Sequence, residues 1–505
     1  MSSALKLAGA VVTLAATISG CADMSGLSTN STVNQPAALA AGKSLADTKA
    51  SSAAWPRSDW WKRFRDPQLD RLMTEALAGS PTLRAAEART RKALAFAQTS
   101  KSALYPQVNA DAHLTRQRFP EHATVPPPLA GTWDTQAQLQ ATLNYDLDLW
   151  GKNRAAYENA VGLAKAAEID AYASRLALSV NIAQAYVQLQ RAYLQLDVAQ
   201  KTLSEREQIY KLTQQRFDAG LDSRLAVKQA ESALPATGEQ IAQLQETIGL
   251  TRNQIAALMG QGPDRGMAIA RPAARTSEGA ELPSTLPATL LGRRPDIVAQ
   301  RWRVEAASKN IDVAKTQFYP DVSLLAFAGF QSIGLPGFLQ AASRTLGVGP
   351  AVTLPIFDGG RLRGNLAGTH ADYDAAVELY NQSLVDGLRD VVDQITSFRG
   401  LQEQRKQQTN AQATAQEAYD LALLRFREGV GNYLEVLSAE SLLLAQQSLD
   451  ADLRARELSL SINLVRALGG GFDGTAIPVA AGELRTSVGA YKKETASRNN
   501  PALAQ

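Results

Sequence analysis

The sequence predicts a mainly α-helical chain made of two copies of one β-β-α-α unit, from three observations. From Gly151 to Phe217 there is no proline, and an apolar residue falls at every seventh position: Ile182, Leu189, Leu196, Leu203, Tyr210 and Phe217. Ala185, Ala192 and Ala199 run beside that row. A period of seven sustained this far marks helices packed side by side, and at 1.5 Å per residue such a helix spans roughly 100 Å. The second observation is a repeat in register. Arg216-Phe217-Asp218-Ala219-Gly220 returns as Arg425-Phe426-Arg427-Glu428-Gly429, Ala230-Glu231-Ser232 as Ala439-Glu440-Ser441, and Leu258-Met259-Gly260 as Ala467-Leu468-Gly469, all at one offset. The third is a switch of hydrophobic period from helical to two ahead of each long helix, which places two strands in each copy.

The chain begins with an address. Lys6 precedes an apolar run from Leu7 to Ile18 that ends at Ile18-Ser19-Gly20-Cys21. The run is too short for a permanent membrane helix and has the layout of a signal peptide, 1–20. Small residues before the only cysteine of the chain resemble a bacterial lipobox, so Cys21 is expected to become a lipidated N-terminus. Ala22 rather than aspartate follows it, which by the same resemblance favours the outer membrane. A Ser/Thr/Ala-rich segment, 21–54, is expected to be a flexible tether.

The first copy, 55–260, opens at Trp60-Trp61 and Phe64. Asp66-Pro67 and Ser80-Pro81 are helix starts, each a capping side chain before a proline, in the helical region 66–102. Strands follow at 104–118 and 132–149. In the second, Trp133, Ala137, Leu139, Ala141, Leu143, Tyr145 and Leu147 alternate with Asp134, Gln136, Gln138, Gln140, Asn144, Asp146 and Asp148. Such a strand buries its apolar side against a protein core, or turns it to lipid while the polar side lines water. Long helices are expected at 151–218 and 221–260, with Gly220 as a left-handed cap between them. Pro235 should kink the second.

A Pro/Gly-rich linker, 261–292, joins the copies. The second copy, 293–470, repeats the plan: helix 294–317, strands 319–332 and 345–357, long helices 360–428 and 432–469, and Gly429 at the turn. Beyond Gly469-Gly470-Gly471 the periodicity is lost, and 471–505 is expected to end in a disordered tail. Four strands cannot close a barrel, and open edges cannot sit in a bilayer. If the strands meet lipid, several chains must share one barrel, and three would supply twelve strands.

Composition narrows the function. A net charge of +3 with 20% charged residues offers no basic surface for nucleic acid. His113, His122 and His370 are too scattered for a metal site and are read as lumen or surface residues. There is no phosphate-binding glycine loop, no metal-spaced cysteine set and no nucleophile motif, so neither an enzyme nor a cofactor is expected.

Trp60-Trp61, Asp66-Pro67, Leu69-Asp70, Leu290-Leu291-Gly292-Arg293-Arg294-Pro295-Asp296-Ile297, Phe318-Tyr319-Pro320, Pro355-Ile356-Phe357-Asp358-Gly359-Gly360 and the two Arg-Phe-x-x-Gly turns resemble the NodT-type outer-membrane factors of tripartite RND efflux systems, relatives of TolC. That resemblance implies a homotrimer: a twelve-stranded outer-membrane β-barrel, four strands per chain, on a long periplasmic α-helical barrel. The implied role is a passive conduit for drugs or small solutes, partnered by a periplasmic adaptor and an inner-membrane RND pump. It also implies adaptor-contacting tips at Arg216, Gly220, Leu221 and Ser223, and at Arg425, Gly429, Val430 and Asn432. The family often closes its periplasmic aperture with acids after the second tip; Glu435 matches one such position, and Ser438 stands where many members carry another acid. A type I protein-export channel and a poreless periplasmic coiled-coil scaffold are the alternatives. The scaffold would leave the alternating strands unexplained, and conductance separates it from a duct.

Overall fold

A computed structural model describes residues 24–35, 39, 50–51, 55–122, 125–273, 282–283 and 290–474. Cys21, the signal segment and the tail from 475 onward lie outside the described residues. In chain order the elements are β1 (Ala50–Ser51), a 3-10 turn (Trp60–Phe64), α1 (Pro67–Gly79), α2 (Pro81–Ser102), β2 (Gln107–Arg118), β3 (Trp133–Asp146), α3 (Lys152–Asp218), α4 (Arg224–Leu258) and α5 (Pro263–Met267). Then come β4 (Leu282–Pro283), α6 (Leu290–Arg293), α7 (Pro295–Thr316), β5 (Asp321–Ile333), β6 (Arg344–Thr353), α8 (Arg361–Arg427) and α9 (Tyr433–Ala467). The two longest helices, α3 and α8, have 67 residues each, a reach of about 100 Å.

The antiparallel sheet has the order β2-β3-β5-β6. Its register sets apolar residues together on one face, while on the other Asn144 and Thr142 of β3 stand opposite Leu325 and Phe327 of β5. Val108, Ala110 and Ala112 stand opposite Leu143, Ala141 and Leu139, which in turn stand opposite Ala326, Ala328 and Phe330. Asn109 and Asp111 stand opposite Thr142 and Gln140 on the other face. No helix covers the apolar face: Val108, Leu114, Leu346, Val348 and Val352 are all strongly exposed. Among the described residues, β2 and β6 each pair on one side only, so the sheet ends in two open edges. A sheet that is apolar on one face, polar on the other and unfinished at both edges is a segment of a larger closed barrel.

Several local expectations change. β3 ends at Asp146, because Asp148 takes a left-handed conformation (φ 45). Its carboxylate accepts from the backbone N–H groups of Asn153 and Arg154 at 2.8 and 3.0 Å. What reads in sequence as the last polar position of a strand is thus the cap of α3. β6 stops at Thr353 because its partner β5 begins opposite at Asp321. In the helical region 66–102 the second helix begins after Ser80, whose extended backbone precedes Pro81, where the sequence places a helix start. Pro235 lies inside α4, which is one helix from Arg224 to Leu258, with or without a bend at that proline.

The segment expected to be a loose tether is, over 24–35, laid along the protein. Met24 and Leu27 pack against Ile311, Phe318, Leu362 and Leu366. The N–H groups of Asn30 and Ser31 donate to the Asp374 carboxylate at 3.0 Å, and that of Asn34 to Asn381 Oδ1 at 2.9 Å. Polar residues of α8 therefore satisfy an extended backbone that hydrophilic composition made look unconstrained. The linker is likewise partly built in: Arg265 of α5 makes a two-pronged pair with Glu75, both contacts 3.0 Å. His370 departs from the expected lumen or surface setting; it is buried, with neither ring nitrogen hydrogen-bonded within the protomer.

The main core lies at mid-height. Trp60, Trp61, Leu72 and Met73 pack on Ile182, Leu189, Ile248, Ile255 and Ile462. The heptad row starts there fully buried and ends exposed at Phe217, since toward the far end the buried face of α3 passes to Ile209 and Thr213. Arg294 explains its own motif. Buried at the start of α7, it donates to Asp296, to Asp390 and the Gly387 carbonyl of α8, and to the Ala467 carbonyl ending α9. At Gly469, with φ +86, a Cβ would lie 1.8 Å from the Arg293 carbonyl oxygen, so only glycine permits that crossing.

Candidate functional site

Two regions concentrate functional geometry: the helical tips farthest from the sheet, and the ring where strands become helices. At the first tip, Gly220 takes φ 75, and the N–H groups of Gly220 and Leu221 cap the carbonyls of Phe217 and Arg216 at 2.9 and 2.8 Å. Ser223 caps α4 by accepting from the Ala226 N–H. The second tip repeats the device. Gly429 has φ 83, Val430 N–H donates to the Arg425 carbonyl at 3.0 Å, and Asn432 Oδ1 accepts from the Glu435 N–H at 3.0 Å. Two closed turns present Leu221 and Val430 outward, about two thirds exposed.

The tips meet, but not symmetrically. The Arg216 guanidinium is largely buried. It lies 4.7 Å from the Phe426 ring centroid, donates to the Phe426 carbonyl at 2.9 Å and pairs with Asp222 at 3.3 Å. The Arg216 side chain is thus turned into the contact between the tips, and Gly220, Leu221 and Ser223 are the more exposed part of the first tip. Arg425, at the equivalent place, is mostly exposed, and its guanidinium donates to the Val430 carbonyl at 3.4 Å. Phe426 is fully buried against Tyr433, Val436 and Ile209, whereas Phe217 is partly exposed.

Glu435 stands in the first turn of α9. Its carboxylate accepts from Asn432 Nδ2 at 3.2 Å and lies 3.8 Å from Arg425 Nε. Ser438, nearly one turn on, is exposed. Behind them sits a group that sequence reasoning missed. Arg206 of α3 donates to Glu440 of α9 at 3.0 Å and to Thr237 Oγ1 of α4 at 2.8 Å, so one guanidinium ties three helices. Glu440 is buried and its Oε1 has no partner in the protomer. Burial holds its carboxyl above the usual carboxylate range, against the pull of Arg206. Ala439-Glu440-Ser441 was visible as a repeat of Ala230-Glu231-Ser232, but nothing in the string distinguishes a buried glutamate from Glu231, which pairs locally with Lys228.

At the strand-to-helix ring, Lys152 bridges Asp146 of β3 at 3.0 Å and Asp321 of β5 at 2.5 Å. Trp150 stacks on Tyr319 with centroids 4.9 Å apart and donates from Nε1 to the Pro320 carbonyl at 2.7 Å. The two copies are thereby locked together where the sheet meets the helices. Among the described residues no cluster of histidine, cysteine and carboxylates could hold a metal, and no helix is long and apolar enough to cross a membrane.

Comparison with known proteins agrees with this geometry. A family profile described as "Outer membrane efflux protein" matches residues 72–261 and 286–470. The chain is 43% identical over 370 residues to the fusaric acid resistance protein FusA of Burkholderia cepacia, covering 72% of this chain and 69% of that one. It is 33% identical over 434 residues to the multidrug resistance outer membrane protein MdtP of Escherichia coli, covering 84% and 89%. The crystal structure of the outer membrane protein VceC of Vibrio cholerae superposes with a TM-score of 0.78 at 38% identity, over 83% of this chain and all of that one.

Proposed function

The chain belongs to the outer membrane efflux protein family, a family of outer-membrane channels with large periplasmic helical parts, and from that premise we propose that three copies share one twelve-stranded barrel. The observation that carries this reading is the four-stranded sheet with two open edges, standing on helices about 100 Å long. In an up-down order of four strands, β6 of one copy runs antiparallel to β2 of the next, so head-to-tail closure satisfies every edge. The polar faces then line a bore that continues between the helices, and solutes pass by diffusion while a partner supplies the energy.

In this reading Cys21 carries acyl chains, and 24–35 leads from the anchor down the outside of α8. The exposed parts of the tips, Gly220, Leu221 and Ser223 with Arg425, Gly429, Val430 and Asn432, meet a periplasmic adaptor that connects to an inner-membrane RND pump. Glu435 narrows the aperture, its charge partly countered by Arg425; Ser438 leaves the next turn neutral. The carried substrates are drugs or small solutes, in keeping with the resistance roles named for FusA and MdtP.

Single-channel recording of the purified protein in a planar bilayer tests this. The expected result is a small resting conductance that rises in Glu435→Ala. Absence of conductance in both wild type and variant, with an intact trimer by native mass measurement, would overturn the conduit. An unchanged value in Glu435→Ala would remove that residue from the gate.

A further inference from the structure

A groove on the outer side of the strand-to-helix ring has a chemistry that conduction does not require. It measures about 290 Å³ and lies between α3 and α7, lined by Trp150, Arg154, Glu158, Asp312, Lys315 and Thr316 together with Gly151 and Ala155. That volume is at the small end of ligand sites and suits one compact polar group.

Its side of the wall follows from the helix geometry. Lys152 reaches Asp146 and Asp321, which share the polar, water-lining face of the sheet. Arg154 is two residues on, about 200° around the helix, and therefore points away from the bore. The helices of the upper wall pack in the order α2, α3, α7, α8. The groove lies between the middle two, inside one protomer and away from the faces a neighbouring copy would cover. Trp150 follows Tyr145 by five residues, which puts the groove within about 17 Å of the lipid-facing rung formed by Tyr145 and Leu324. An indole at that height belongs to the interfacial aromatic belt.

The charges are of both signs and incompletely paired. Among the described residues, neither Arg154 nor Lys315 has an ion-pair partner; Lys309 holds Glu158 at 2.8 Å and also feels the charge of Asp312, which makes no ion pair of its own. A guanidinium and an ammonium facing one pocket suit a phosphate diester. A carboxylate beside them suits a cation a few bonds away. We propose that this groove seats the headgroup of an ethanolamine phospholipid of the periplasmic leaflet, phosphate to Arg154 and Lys315, ammonium to Asp312, with the acyl chains rising past Trp150 along the apolar strands. The proposal rests on the membrane orientation of the sheet and not on conduction through the bore.

The test is native mass spectrometry of the full-length trimer released from nanodiscs of mixed phosphatidylethanolamine and phosphatidylglycerol. The expected result is about tenfold preferential retention of phosphatidylethanolamine, lost in Arg154→Gln/Lys315→Gln. Asp312→Asn should abolish the preference while phosphatidylglycerol is still retained. Arg154→Lys/Lys315→Arg, which keeps both charges, should restore binding and so exclude a folding defect. Equal retention of the two lipids by wild type, or undiminished selectivity in the glutamine variant, overturns the proposal. Displacement of the lipid by soluble phosphoethanolamine at equal concentration also overturns it, by showing a site for a free phosphate ester. Conductance measured on the same variants should be unchanged, which separates this site from the conduit.

Discussion

The two tips are built from the same words and do opposite work. Arg216-Phe217 and Arg425-Phe426 occupy equivalent places in the repeat, yet the arginine of the first copy is buried and that of the second exposed, while the phenylalanines reverse that order. Arg216 of one tip lies on Phe426 of the other. Duplication supplied two hairpins that share the same Arg-Phe pair and glycine turn; packing them side by side left room in the shared core for one member of each pair. The leftover Arg425 and Phe217 face outward, available to a partner. A repeat in one chain can thus hold a structure together with half of its copies and present a surface with the other half.

That asymmetry can be broken from either side. Phe426→Ala should have the largest effect, on the order of 3–5 kcal/mol lost from the tip, while Phe217→Ala, partly exposed already, should cost no more than about 1 kcal/mol. Hydrogen exchange of the tip amides in the assembled protein measures both; equal costs would end the distinction. Glu440→Ala should cost about 3 kcal/mol by leaving Arg206 buried and uncompensated, whereas Glu231→Ala, at the equivalent place, should be almost silent.

The pH dependence sharpens the same contrast. Burial raises the Glu440 carboxyl, so the folded state holds that proton more tightly than the unfolded chain. Its contribution to stability is full below the ordinary glutamate value of 4.5, which the unfolded chain keeps, and is lost as pH rises through the higher folded-state value. Glu440→Gln should flatten that stretch of the stability–pH curve; an unaltered slope would exclude Glu440 as its source.

Arg216→Ala should loosen the tips by about 2–3 kcal/mol through the lost stacking and charge-assisted hydrogen bond, and Arg425→Ala by less than about 0.5 kcal/mol. Adaptor binding should respond in the opposite order, with Arg425→Ala weakening it more. The smallest effect is a matched one. Gly220→Ala and Gly429→Ala should each cost about 1 kcal/mol, because both hold a positive φ with no close neighbour for a new Cβ. Unequal costs would mean that one turn carries strain the other lacks.

Much of this was legible in the string of residues. The heptads of α3, the repeat offset and the period-two strands each report a one-dimensional regularity, and helix and strand geometry convert such regularities directly into shape. The glycine turns were legible for the same reason, a backbone need met by one residue type. What misled were residues whose meaning depends on a distant neighbour. Asp148 continues a strand alternation but caps a helix. The 24–35 segment looks like solvent-loving linker until Asp374 and Asn381 meet its backbone. Arg216 looks like a surface charge until Phe426, from the other copy, arrives beneath it.

By itself the sequence determined the two-copy plan, the lengths of the helices and the number of strands each chain brings to the membrane. These depend on local propensity and on periods that extend along the chain. Only the tertiary structure decided which copy of each repeated residue is buried, how Arg206 ties three helices behind the tips, and how Lys152 and Trp150 join the two copies where sheet meets helix. Those are outcomes of contact between segments far apart in sequence, where identical residues meet different neighbours and so settle into different states of solvation and charge.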